Sequence, residues 1–200
     1  MTVEPGTTAT ALPAFDAVVL AGGAASRLGG VDKMLVEVGG IRLIDRALAA
    51  VAGADEVVVV GEPRAGTSPV TWTREQPAGG GPVAALAAGL ACVAHDVVAL
   101  LAADLPFVTP THVDRLRAAL GDADGVLYVD EDGRDQPLLS VWRAAALRGV
   151  LPAEPAGAGL RRVLAPLTVT RLPGSSGLQD CDTPADVEVA RRIARGEVAS

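Results

Sequence analysis

Lysine is almost absent from this chain: its 17 basic residues are Lys33 and sixteen arginines. Rings are nearly as scarce. Five aromatics in 200 residues (Phe15, Trp72, Phe107, Tyr128 and Trp142) leave little for base stacking, and a net charge of −7 repels a phosphate backbone. Nucleic acid is therefore excluded as an expected partner, while small anions held by local cations are not. Two cysteines, Cys92 and Cys181, make neither a disulfide framework nor a zinc spacing. Both are expected as small buried hydrophobes in a reducing, cytoplasmic setting. The N-terminus has no basic stretch before an apolar one, so no secretory signal is expected. The longest apolar run, 82–94, is too short and too broken by glycine to span a bilayer. A soluble protein, with no membrane partner, is the expectation.

What is present is an alternation of strand and helix patterns. Residues 1–14 read as a flexible leader, followed by a single domain over 15–200. Continuous apolar runs at 16–21, 56–61 and 96–102 predict strands covered on both faces, and 70–73 predicts a shorter one. Apolar spacing predicts a helix over 41–54. Pro82 opens one over 82–94, and Thr109-Pro110 another to Leu120. Segments 125–130 and 137–142 flank an Asp132-Gly133 turn, which signals one antiparallel pairing; 167–172 is a last strand. Thr183, Pro184 and Asp186 start a helix that Gly196 ends. The expected architecture is a three-layer α/β/α Rossmann-like fold, with a mostly parallel sheet and one antiparallel strand. Ligands of such sheets bind beyond the carboxyl ends of the strands.

The lone lysine lies just there, after the first strand, in Leu20-Ala21-Gly22-Gly23-Ala24-Ala25-Ser26-Arg27-Leu28-Gly29-Gly30-Val31-Asp32-Lys33. Met34 after the lysine and the glycine spacing rule out a Walker A loop, and no G-x-G-x-x-G occurs. Paired glycines let backbone N–H groups approach an anion, and Arg27 and Lys33 add charges of different geometry. On spacing alone, a phosphate cradle and a flexible loop with solvated cations both stand.

This signature resembles that of the molybdenum cofactor guanylyltransferase family, within the nucleotide-diphospho-sugar-transferase-like nucleotidyltransferases. The likeness extends over nearly the whole chain after the leader. Gly81-Pro82-Val83-Ala84-Ala85 resembles the family's GPLAG segment, and Asp104-Leu105-Pro106-Phe107 its metal-binding turn. Asp135-Gln136-Pro137-Leu138 resembles its Q/H-P segment, and Asp182-Thr183-Pro184-Ala185-Asp186 its N-T-P-E-D stretch. Paired Gly22-Gly23 leans towards the guanylyl branch. Three departures stand out: Leu28 for Met, Ala85 for a glycine near the base, and Asp182 for Asn.

The resemblance implies transfer of GMP from GTP to molybdenum-molybdopterin, with release of pyrophosphate and use of Mg²⁺. It places the nucleotide at Leu20, Ala21, Gly22, Gly23, Arg27, Lys33, Glu75, Gly81 and Pro82. Asp104 is implied as a metal ligand, with Asp182 as a second ligand or an acceptor contact beside Gln136 and Pro137. Arg27, Lys33 and Asp104 would be catalytic. Transient contact with other molybdenum cofactor proteins is also implied. A cytidylyl-transferring sister and a non-catalytic nucleotide sensor are the alternatives. Read without the family, Asp104 ends a buried strand, where a carboxylate must be paired, hydrogen-bonded or metal-bound, or else caps the turn at Pro106. Asp180 and Asp182 share a face in an extended segment while Cys181 points inward, or they are helix-entry acids. Arg161 and Arg162 are expected as solvated surface charges or acceptor contacts, and His95 and His112 show no ligand spacing.

Overall fold

The computed structural model describes residues 12–22, 27–28, 31–67, 69–174 and 180–197. Most of the expected leader, 1–11, lies outside these residues. The chain runs through β1 (Asp16–Leu20), the two-residue strands β2 (Arg27–Leu28) and β3 (Val31–Asp32), and a 3-10 turn at Lys33–Leu35. Next come β4 (Glu37–Val38), β5 (Ile41–Arg42), α1 (Leu43–Ala50), β6 (Val57–Val60) and β7 (Thr71–Thr73). After these follow α2 (Pro82–Leu90), β8 (Val97–Ala102), α3 (Pro110–Ala118), β9 (Gly125–Val129) and β10 (Asp135–Arg143). The last elements are α4 (Ala144–Val150), α5 (Leu160–Leu164), β11 (Val169–Pro173) and α6 (Pro184–Ala194).

The main sheet has the order β11-β9-β10-β8-β1-β6-β7. Every pairing in it is parallel except those of β10, which runs antiparallel to both β8 and β9. Alternation along β1 divides the core. Ala17 and Val19 face α1 and α3, with Ile44, Ala47, Val51, Val113 and Leu116, while Val18 and Leu20 face α2, α4 and α5, with Val83, Leu86, Leu147 and Leu164. The three layers read from the sequence are thus present. No helix among the described residues is long and apolar enough to cross a membrane.

Several boundaries differ from the sequence reading. The helix expected over 41–54 begins at Leu43, because Ile41 and Arg42 pair with Glu37 and Val38 across Gly39 and Gly40, both at positive φ. The helix expected to Ala94 stops at Leu90: the N–H groups of Ala94 and His95 are taken by the buried carboxylate of Asp16 at the start of β1. Helix α4 had no sequence marker, its Ala-rich stretch carrying no cap hydrogen bond. Cys92 is exposed, not buried, because this early stop leaves it in the turn after α2, whereas Cys181 is buried as expected.

Two close approaches set the site's frame. A Cβ on Gly89 would lie 2.4 Å from Val18 Cγ1, so only glycine lets α2 sit this close to β1. On β10, residues 137–139 bulge away from β9, where Pro137 has no N–H to give the ladder. Ser140 Oγ donates to Pro137 O at 2.6 Å, and Trp142 Nε1 donates to that Oγ at 2.6 Å, which satisfies the bulge from within.

Candidate functional site

The carboxyl ends of β1, β6 and β8 lie side by side, and the signature residues gather there. Beyond β1, the hairpin of β2 and β3 sets the backbone of Arg27 directly opposite Asp32. Asp32 then caps the 3-10 turn, its Oδ1 accepting from Met34 N at 3.0 Å, and the first residue of that turn is Lys33. The side chain of Lys33 is only 3% exposed. Its Nζ donates to Asp104 Oδ2 at 2.6 Å and to Asp182 Oδ1 at 2.7 Å. Burial alone would lower the lysine's pKa, but hydrogen bonds to Asp104 and then Asp182 outweigh it and hold the ammonium above its ordinary value. Lys33 is therefore a fixed charge at neutral pH.

Asp104 follows β8 by two residues, and its segment is tied to β1 by Ala103 N donating to Leu20 O at 3.0 Å. Cys181 N donates to Asp104 O at 3.1 Å, which brings the 180–182 segment against the end of β8. Cys181 then points inward, where burial and the nearby Asp104 push its thiol up to about 11, so it is inert as a nucleophile. Asp180 and Asp182 point into the cleft, and Asp182 is 60% exposed. Asp180, although exposed as a residue, has its carboxyl pushed up by local desolvation and by the charges of Asp182 and Asp104. Thr183 and Asp186 form a reciprocal capping box, with Thr183 N donating to Asp186 Oδ2 at 2.7 Å and Asp186 N to Thr183 Oγ1 at 3.2 Å; this fixes Asp182 just ahead of α6.

Among the described residues no three His, Cys, Asp or Glu side chains converge to hold a metal ion by themselves. One observation nevertheless fits a hard divalent cation. Asp104 Oδ1 is buried without any hydrogen-bond partner, while Oδ2 is taken by Lys33. Mg²⁺ is characteristically held by one or two carboxylates plus substrate phosphates, not by a full protein cage. Asp104 with Asp182 supplies that donor set.

These acids open onto a cleft of about 900 Å³. Pro82 at the start of α2 forms one side, and Gln136, Pro137 and Leu138 from the bulged end of β10 form another, with Arg161 and Arg162 of α5 beside them. The structure thus brings Asp104, Asp182, Gln136, Pro137 and Pro82 to one cavity. Gln136 Nε2 donates to Asp130 Oδ2 at 3.1 Å, so its amide is also a lock on the β9–β10 turn. Glu75 is buried away from this cleft wall and accepts from Gly79 N at 3.0 Å, shaping the glycine loop that ends at Gly81, φ +88°, before α2. Leu20 and Ala21 are buried, and Gly22 lies against Gly61. Gly23 and the remaining loop positions 24–26 and 29–30 lie outside the described residues. A separate groove of about 780 Å³ between α1 and β7 holds none of these residues.

Of the two expectations for Arg161 and Arg162, surface solvation or acceptor contact, their place in the cleft beside the acids fits the second. One residue went unmarked by sequence reasoning. Arg64, in the loop after β6, grips Asp32 through two hydrogen bonds, and no motif announces it. Both histidines are committed elsewhere. His95 Nδ1 lies 2.8 Å from Asp16 at the opposite end of β1, and His112 Nδ1 is 2.8 Å from Thr109 Oγ1 at the start of α3.

A family model described as the MobA-like NTP transferase domain matches residues 17–172. The molybdenum cofactor guanylyltransferase of Acidiphilium cryptum is 37% identical over 137 residues, covering 65% of this chain and 67% of that protein. A protein of Synechococcus elongatus named "Probable molybdenum cofactor guanylyltransferase" is 32% identical over 187 residues, covering 86% and 95% respectively. The solved structure of molybdopterin-guanine dinucleotide biosynthesis protein A from Archaeoglobus fulgidus superposes with a TM-score of 0.69 at 20% identity, covering 90% of this chain and 99% of that one. That last likeness is one of fold.

Proposed function

This chain belongs to the MobA-like NTP transferase domain family, and on that premise we propose that it transfers GMP from GTP to molybdopterin carrying molybdenum, with release of pyrophosphate. The observation that carries the reading is the single lysine held between Asp104 and Asp182 at the mouth of a cleft large enough for a second substrate.

The attacking group in such a transfer is itself a phosphate, whose second pKa of about 6 leaves it largely dianionic at neutral pH. No general base is required, which suits a site whose lysine is held charged between two carboxylates, whose Cys181 thiol is pushed up by burial and whose histidines are engaged elsewhere. The difficulty is to bring anions together and to stabilise charge on the transferred group. Lys33 serves this as a buried, permanently charged donor, and Arg27 supplies a second cation from the strand facing Asp32. The glycine loop at Gly22 and Gly23, after Ala21, whose own N–H is given to Val60 O, and the entry to α2 at Gly81 and Pro82 line the nucleotide's path, with Glu75 shaping the base loop. Asp104, with Asp182, would hold Mg²⁺, which when bound neutralises the reacting phosphates. Gln136, Pro137 and the Arg161–Arg162 pair form the wall for the acceptor. Residues 15–200 act as one catalytic domain in the cytoplasm, handing product to other molybdenum cofactor proteins by transient contact.

The test is incubation of the protein with Mg²⁺, molybdenum-molybdopterin and each nucleoside triphosphate, with pyrophosphate measured. GTP should give the product, and Asp104→Ala should lower the rate by at least ~30-fold, about 2 kcal/mol of transition-state stabilisation. A preference for CTP would make the chain a cytidylyl-transferring sister. Tight GTP binding with no pyrophosphate would make it a nucleotide sensor.

A further inference from the structure

We infer that Arg64 is a positioning residue for the triphosphate half of the site: it clamps Asp32 and thereby holds the backbone of both signature cations, Arg27 and Lys33. Its Nε donates to Asp32 Oδ2 at 2.8 Å and its Nη2 to Asp32 Oδ1 at 3.2 Å, a two-pronged grip that a lysine cannot reproduce. Its Nη1 donates to Glu62 O at 2.9 Å, so every nitrogen of the guanidinium is engaged by protein. With a side chain 7% exposed, it is no free ligand for phosphate. Its action runs through Asp32.

Asp32 is the residue through which both cations are placed. Its backbone pairs with that of Arg27, its Oδ1 caps the turn at Met34, and Lys33 is its neighbour. The hairpin involved has only two residues per strand, far too little pairing to hold a fixed geometry by itself. Its support comes from the loop after β6, which is a strut and not a tether. Gly61 N donates to Thr73 O at 2.9 Å, Thr67 Oγ1 donates to Arg64 O at 2.9 Å, and Arg42 donates to Ala65 O and Gly66 O at 3.1 and 2.7 Å. At its base, Gly61 packs so closely under β1 that a Cβ there would lie 2.9 Å from Ala21 O. The strut therefore touches the phosphate loop at both ends, at Ala21 through packing and at Asp32 through charge. A site that must hold cations against several phosphates needs them fixed before the ligand arrives.

The inference rests on the nucleotide-binding half of the proposed function, and its test separates the two. Arg64→Gln and Asp32→Asn are compared singly and together; Asn at 32 keeps an oxygen to cap Met34. Amide hydrogen exchange across 27–35 reads the clamp without any ligand, and calorimetry well below the melting temperature reads GTP affinity. Each single variant should speed exchange in 27–35 and weaken GTP by about tenfold, and the double variant should lose no more than the worse single, because both changes remove one interaction. The KM of the acceptor, which meets the other wall, should stay within about twofold. If Arg64→Gln fails to fold, Arg64→Lys carries the same expectation, since one ammonium cannot hold both oxygens of Asp32. Additive losses, or a fall in melting temperature with exchange and GTP affinity unchanged, overturn the clamp. Faster exchange in a protein whose wild type ignores GTP keeps the clamp and overturns the nucleotide reading.

Discussion

Replacing Lys33 by methionine separates the structural job this lysine performs from the one proposed for it at the triphosphate. The side chain is 3% exposed and makes two charged hydrogen bonds, at 2.6 and 2.7 Å. Removing one partner of a fully buried ion pair costs roughly 3–5 kcal/mol, because the other charge is stranded. Here the full penalty does not apply. Asp182 is 60% exposed and rehydrates freely, while Asp104 is 16% exposed and its Oδ1 already lacks a partner. One mostly buried carboxylate beside open cleft water should cost about 2 kcal/mol, which for a chain of this length lowers the melting temperature by roughly 4–8 °C. The double variant Lys33→Met with Asp104→Asn leaves no buried unpaired charge, only the exposed Asp182, and should return to within about 1 kcal/mol of wild type. Nucleotidyl transfer should nevertheless fall by at least ~30-fold in both variants, since neither restores a cation to the triphosphate. Urea unfolding at pH 7.5 without nucleotide or metal measures the first effect, and pyrophosphate release the second. The reasoning fails if Lys33→Met is as stable as wild type, or if the double variant is less stable than the single one.

Three further outcomes are expected. Gly125→Ala would set a Cβ 2.1 Å from the Trp142 ring across the β9–β10 pairing, an overpacking of roughly 1–3 kcal/mol; a calorimetric melting temperature equal to wild type would contradict it. Gly61→Ala adds a methyl against Ala21 O at a φ of +154°, which should displace the end of β1 and weaken GTP binding by about fivefold or more, read by titration calorimetry. The pKa of His95 is raised, chiefly by its hydrogen bond to Asp16, with Asp55 and Asp96 adding to the field. Its stabilising effect is therefore complete below the unfolded value of about 6.5 and is lost as pH rises through the higher folded value. His95→Gln should lower the urea midpoint at pH 6 and make no difference by pH 9, whereas a deficit that persists at pH 9 would refute the charge-based account.

Strands β1, β6 and β8 were legible because burial on both faces demands uninterrupted runs such as Val57–Val60. Helix α6 was legible because Thr183, Pro184 and Asp186 spell out its start, and the reciprocal hydrogen bonds are present. Asp180, Cys181 and Asp182 took the alternating orientation that an extended segment imposes. Two-residue strands fall below any pattern length, so the hairpins bearing Arg27, Asp32 and Ile41 were not visible, although Gly39-Gly40 was a signal for one of them. The pairing of Lys33 with Asp182 joins residues 149 positions apart. Nothing local encodes it. The same holds for Arg64, whose guanidinium matters only because the parallel order of β1 and β6 brings it to Asp32.

The reversed direction of β10 has a consequence for how such a site diversifies. Every other main-sheet strand contributes to its far edge where it ends, but β10 contributes where it begins, through the turn between Asp130 and Asp135. Lengthening or recasting that turn would reshape the wall bearing Gln136 and Pro137 while leaving the pairing of Leu20 with Ala102 in place. Lys33 and Asp104, which hang from those two strands, would keep their spacing. The molecule is in this sense two separable instruments on one sheet, which the proposed reading uses as a fixed handle for the nucleotide and an exchangeable jaw for whatever receives it.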